Sequence, residues 1–95
     1  MAEAYSLRPA AQADLRDIWL YSRRQWSADQ ADRYTLLIAA AFDDLAAGRR
    51  KGKPVNVRTG YLKYACGSHI IYFRLNDGLD IVRILHQRMD VETHL

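Results

Sequence analysis

The sequence predicts a two-layer α+β domain: a short strand, two helices packed as an antiparallel hairpin on one face, and three further strands in a mainly antiparallel sheet. Three observations carry that expectation. Apolar residues recur at helical spacing up to residue 45, then in alternating or β-branched runs from residue 61 onward. A capping-box pattern splits the helical part with a connection short enough to force antiparallel neighbours. A basic tract bearing Gly and Pro marks the change from helix to strand. At 95 residues the chain has room for one core, so a single domain spans residues 1–95.

Ala4-Tyr5-Ser6-Leu7 alternates and reads as the first strand. Pro9 suits the first turn of a helix, where a missing N–H costs nothing. Ala11, Leu15, Ile18, Trp19 and Trp26 then follow at helical spacing with Tyr21 beside them, and Asp14 and Asp17 are expected in early turns favoured by the helix dipole. Ser27-Ala28-Asp29-Gln30 starts a second helix, with Ser27 placed to accept from a backbone N–H three residues on. Ala31, Tyr34, Ile38, Ala41 and Leu45 form its buried stripe, Phe42 widens it, and Gly48 ends it in a left-handed conformation.

Arg49-Arg50-Lys51-Gly52-Lys53-Pro54 reads as a loop. Tyr61 to Cys66 is a strand broken at Gly67, and Ile70 to Leu75 is the next. Asn76-Asp77-Gly78 is a hairpin connection, and Leu79 to His86 completes the pair. Ile71, Phe73 and Leu75 face one side of the sheet and Ile70 and Tyr72 the other. The second apolar face either binds a partner or is covered by the C-terminal tail.

Charge is unevenly divided. Residues 1–48 carry a net charge of −2 and residues 49–95 a net charge of +5. Six basic residues and no acidic one lie between positions 49 and 63. A basic half points to an anionic partner, nucleic acid or an acidic protein segment, or else to a solvated surface. The start, MAEAYSLRPAAQADL, lacks a basic stretch followed by an apolar core, and no apolar run approaches the ~20 residues of a membrane span. A cytoplasmic location and no membrane partner are therefore expected.

Cys66 is the single cysteine, so an intrachain disulfide and a cysteine-rich zinc site are excluded. His69, His86 and His94 lack metal-ligand spacing, and neither a metal nor a cofactor is expected. One constellation has chemical capacity: Arg83, His86 and His94 with Lys63 (and Arg58 and Arg88 nearby) as acid, base and cations around an RNA phosphate. The competing reading pairs Arg83 with a nearby carboxylate and lets His86 end its strand.

Several segments together resemble the ParE toxins, within the RelE/ParE superfamily of type II toxin–antitoxin systems. They are Asp14-Leu15-Arg16-Asp17-Ile18-Trp19, Gln30-Ala31-Asp32-Arg33-Tyr34, the Gly52-Lys53-Pro54 loop, Arg58-Thr59-Gly60-Tyr61-Leu62-Lys63, Gly67 to Arg74, and Ile81 to Asp90. The last is the most specific. The resemblance implies the same strand–helix–helix–three-strand fold, with the first strand beside the last. It implies a toxin that traps DNA gyrase on cleaved DNA and forms a hetero-oligomer with a ParD-like antitoxin, whose acidic, amphipathic C-terminal segment wraps it. Operator DNA is reached only through that antitoxin. The alternative within the superfamily is a ribosome-dependent mRNA endonuclease. Such enzymes generally use basic residues on the sheet with a late histidine or tyrosine. This chain keeps Arg83 and His86, with His94 as a second late histidine, but has no tyrosine after Tyr72. Expected target contacts are His86, Gln87, Arg88, Met89 and Asp90. Expected antitoxin contacts are Trp19, Trp26, Arg58, Tyr61, Lys63 and Arg74.

Overall fold

The computed structural model describes residues 5–95, so Ala4, expected in the first strand, lies outside the described residues. Strand β1 (Tyr5–Leu7) leads into helix α1 (Pro9–Gln25) and helix α2 (Ala28–Ala46). Strands β2 (Lys53–Pro54), β3 (Leu62–Cys66), β4 (His69–Leu75) and β5 (Leu79–His86) follow, then a one-turn helix α3 (Val91–His94). The sheet order is β1-β5-β4-β3-β2, with β1 parallel to β5 and every other pair antiparallel.

Local chemistry sets the boundaries. Pro9 occupies the first turn of α1, and only Trp26 and Ser27 separate α1 from α2. Ser27 Oγ accepts from the Gln30 N–H at 3.1 Å, the expected cap. At the far end, the Arg49 N–H reaches the Asp44 carbonyl at 2.9 Å and the Gly48 N–H reaches that of Leu45 at 3.3 Å, with Gly48 at φ +78°. That paired pattern is a Schellman motif.

The helical hairpin covers one face of the sheet. Ile38, Phe42 and Leu45 of α2 and Ile18 of α1 bury against Ile71 and Phe73 of β4 and Ile81 and Ile84 of β5. Each such side chain contributes about 1.5–3 kcal/mol on leaving water. On the opposite face Val55, Tyr72 and Leu85 form a second cluster, packed by Tyr61, Ile70, Val91 and Leu95. The C-terminal tail folds over that face through Val91 and Leu95, one of the two outcomes foreseen for it.

Two expectations need correction. Lys53–Pro54, read as loop, pairs with Lys63 and Leu62 as a short edge strand. Leu75, grouped with Ile71 and Phe73, is 65% exposed at the last position of β4, beside the hairpin turn, while those two are buried. Asp14 lies in the second turn of α1, among the early turns as expected, and its carboxylate reaches across to β5, accepting from the Ile84 N–H at 2.9 Å and pairing with Arg83. Strand β1 pairs only with residues 79–81, so the outward N–H of Ile84 has no strand partner and Asp14 supplies the acceptor.

Candidate functional site

The C-terminal end of β5, the start of β4 and α1 border an open groove of ≈ 290 Å³. Asp17 and Tyr21 of α1, His69 of β4, and His86 and Met89 contribute to its wall. A register shift in β5 builds this arrangement. Near the turn Leu75 pairs with Leu79, but beyond the irregularity at Tyr72/Phe73 the pairing slips by one residue, and His69 comes opposite His86. The two rings meet edge to face, their centroids 5.3 Å apart.

His69 is tied to α2 through Tyr34. The Tyr34 hydroxyl accepts from the Ser68 N–H at 3.0 Å and hydrogen-bonds His69 Nδ1 at 2.6 Å. Burial pushes the His69 pKa below its ordinary value and the nearby His86 acts in the same direction, against a smaller opposing pull from Asp14. Burial likewise raises the Tyr34 phenol. The close seat of Tyr34 requires Gly67: at φ +61° a Cβ there would lie 2.7 Å from the tyrosine ring.

This coupling predicts a pH profile. The unfolded chain binds a proton at His69 more readily than the folded one, so this contribution is complete above about pH 6.5 and declines as pH falls below it. The thermal midpoint should fall between about pH 7.5 and about pH 5.5, and His69→Gln should flatten that fall. Identical profiles for the two proteins would contradict it.

The residues considered for RNA cleavage do not converge. Arg83 Nε and Nη2 donate to the two carboxylate oxygens of Asp14 at 2.7 and 2.8 Å, and Nη1 donates to the His94 carbonyl at 3.2 Å. The hydrogen bonds to Asp14 raise the guanidinium pKa further. Lys63 occupies the same cross-strand row as Arg83, with the buried Tyr72 between them. His86 Nδ1 accepts from the Arg88 N–H at 3.1 Å, and His94 Nδ1 donates to the Asp90 carbonyl at 2.9 Å. The reading in which Arg83 pairs with a carboxylate matches this geometry.

The segment after β5 divides by role. The Gln87 N–H donates to the Ser68 carbonyl at 2.9 Å, tying the chain to the β3–β4 turn. Asp90 caps α3, accepting from the Glu92 N–H at 3.1 Å and the Thr93 hydroxyl at 2.9 Å. The Gln87 and Arg88 side chains have no hydrogen-bond or ion-pair partner among the described residues, and Met89 is 43% exposed.

The residues expected at an antitoxin contact fall on two surfaces. Trp26 is 67% exposed at the tip of the helical hairpin. Trp19 is partly buried, and its indole N–H donates to Asp32 at 2.8 Å, bridging α1 and α2. On the other face Tyr61 lies between the guanidinium groups of Arg58 and Arg74, at 5.4 and 5.2 Å from its ring centroid. Arg58 also donates to the Leu95 carbonyl at 2.9 Å and so fastens the tail. Lys63 is exposed on β3 beside the lysines of the preceding loop. Sequence reasoning missed Tyr21 and His69 as neighbours of the C-terminal segment; the exposure of Tyr21 on a helical stripe was the one available signal.

Comparison with known proteins fits this architecture. The family model described as ParE toxin of type II toxin-antitoxin system, parDE, matches residues 5–91. Toxin ParE1 of Mycobacterium tuberculosis is 43% identical over 98 residues, covering 100% of both chains. Toxin ParE1 of Caulobacter vibrioides is 39% identical over 92 residues, covering 96% of each. A solved structure, the chromosomal ParDE TA system from P. aeruginosa, has a TM-score of 0.77 at 19% identity, covering 87% of this chain and 94% of that one, a likeness of fold. By matching the family model from the first described strand to the end of the segment after β5, and its relatives along their length, the chain belongs to the ParE toxins of type II toxin–antitoxin systems.

Proposed function

We propose that this toxin acts in the cytoplasm by binding DNA gyrase and trapping it on cleaved DNA, without catalysing a reaction of its own, and that a ParD-like antitoxin neutralises it. The observation that carries the non-enzymatic reading is the engagement of Arg83. Each of its three nitrogens donates to Asp14 or to the His94 carbonyl, so a phosphate would have to compete with a bidentate carboxylate for this guanidinium. The exposed side chains of Gln87, Arg88 and Met89, beside His86 and held in place by the cap at Asp90, offer gyrase a fixed contact surface. Purified toxin should block supercoiling and leave linear DNA from stalled breaks, while mRNA on ribosomes stays intact. In-frame mRNA cleavage by the purified protein overturns the reading.

The antitoxin is proposed to reach both faces, with apolar anchors at Trp26 and the accessible part of Trp19 and carboxylates directed at Arg58, Arg74 and Lys63 around Tyr61. Buried aromatic and arginine contacts supply most of the affinity at such interfaces, and complementary charge speeds encounter. Operator DNA is engaged through the antitoxin in the resulting hetero-oligomer. Removing Arg58 and Lys63 together should weaken antitoxin binding by about tenfold or more, read by calorimetry. Unchanged affinity in a folded double variant would remove the electrostatic part.

A further inference from the structure

The loop after α2 carries Arg49, Arg50 and Lys51, and β2 adds Lys53. The two arginines are engaged, both reaching Asp44, at 2.8 and 3.8 Å. Lys51, Lys53 and Lys63 are different: among the described residues no carboxylate lies within ion-pair distance of any of them. All three line one groove of ≈ 400 Å³, with Tyr64, Ala65 and Ile70.

The fold holds these charges together against their repulsion. Lys53 sits directly opposite Lys63 in the β2–β3 register, a like-charge pair that weakens a two-residue strand. The approach of the loop depends on Gly52, where a Cβ would lie 2.5 Å from the Phe73 ring and 3.0 Å from the Lys63 carbonyl. The backbone thus brings the lysines together on one surface, and an external anion reduces the repulsion between Lys53 and Lys63. The strand register leads from the groove toward the segment after β5. Ala65 pairs with Ile70 and Ile70 with Leu85, and one step beyond the strand ends Gln87 is bonded to Ser68.

We propose that Lys51, Lys53 and Lys63 form a binding floor for the phosphate backbone of duplex DNA, extending toward Arg88. Duplex DNA presents one charge about every 1.7 Å of its axis, so three adjacent ammonium groups find partners in any sequence. Lysine, a point charge, positions phosphate without reading bases. An acidic peptide is the competing occupant; the groove offers it one aromatic anchor, Tyr64, against three ammonium groups, a balance weighted toward an evenly charged backbone. The proposal extends the gyrase reading, since the enzyme to be trapped holds DNA.

The test is fluorescence anisotropy of a labelled duplex with the intact toxin, titrated at several salt concentrations, for wild type and Lys51→Gln/Lys53→Gln. Wild type should bind with steep salt dependence. The double variant should bind about tenfold or more weakly, with a salt slope shallower by about two, and should unfold at no lower temperature. Equal affinity and slope for a folded double variant would overturn the proposal. So would lysine-dependent binding of a polyglutamate probe by a protein that ignores the duplex. The DNA measurement contains no gyrase: a toxin that binds DNA through these lysines yet leaves supercoiling intact refutes the gyrase reading alone.

Discussion

Asp14→Ala should lower stability by about 2–4 kcal/mol, the largest loss expected from one exchange of a polar side chain in this protein. Two costs combine. The Arg83 guanidinium loses both carboxylate bonds, at 2.7 and 2.8 Å, in a site where the two side chains are 24% and 13% exposed. The Ile84 N–H simultaneously loses the acceptor that stands in for a missing strand partner. For a domain of this size the loss corresponds to a fall of roughly 10 °C or more in the thermal midpoint. Asp17→Ala, on the exposed side of the same helix, should change stability by less than about 0.5 kcal/mol. Denaturant titration of the two variants separates these outcomes, and an Asp14→Ala protein within about 1 kcal/mol of wild type would show that the bridge is not structural.

The second large effect is on toxicity. His86→Ala with Arg88→Ala should raise the toxin concentration needed for half-inhibition of supercoiling by about tenfold or more, the loss of one strong interface contact. The Arg88 side chain is exposed and has no hydrogen-bond or ion-pair partner among the described residues, so its removal should leave packing intact. His86 contributes an edge-to-face contact with His69 and an acceptor for the Arg88 N–H, so its removal carries a modest stability cost that unfolding must measure alongside. Antitoxin binding should remain near wild type, because Trp26, Arg58 and Tyr61 are untouched. Full inhibition by the folded double variant would exclude His86 and Arg88 as determinants and move the search to the lysine groove.

The parts of the fold legible in the sequence were those governed by local rules. The Ser27 cap, the helical stripe from Ala31 to Leu45 and the Gly48 terminus depend on neighbours within one or two turns, and each is where its pattern placed it. The hairpin at Asn76-Asp77-Gly78 was equally local. What the sequence did not disclose was set by distant contacts. Strand β2 exists because Gly52 lets the loop lie against β3, and a two-residue strand leaves no periodicity to read. The partner of Arg83 lies 69 residues away, so the expectation of a nearby carboxylate was right in chemistry but could not name Asp14. The candidate site was hidden for a sharper reason. Counting back from the hairpin turn without the irregularity at Tyr72/Phe73 puts His69 opposite Leu85, and only the one-residue slip brings it to His86.

The central claim is that this toxin works by stoichiometric occupation of gyrase and not by turnover. Titrating purified toxin into a fixed amount of gyrase with supercoiled plasmid and ATP, and quantifying linear DNA after denaturation, tests it most directly. Trapped linear DNA should rise with the toxin-to-gyrase ratio and saturate once the enzyme is occupied. No linear DNA at any ratio, with ribosome-bound mRNA cut by substoichiometric toxin in the parallel reaction, would contradict the account.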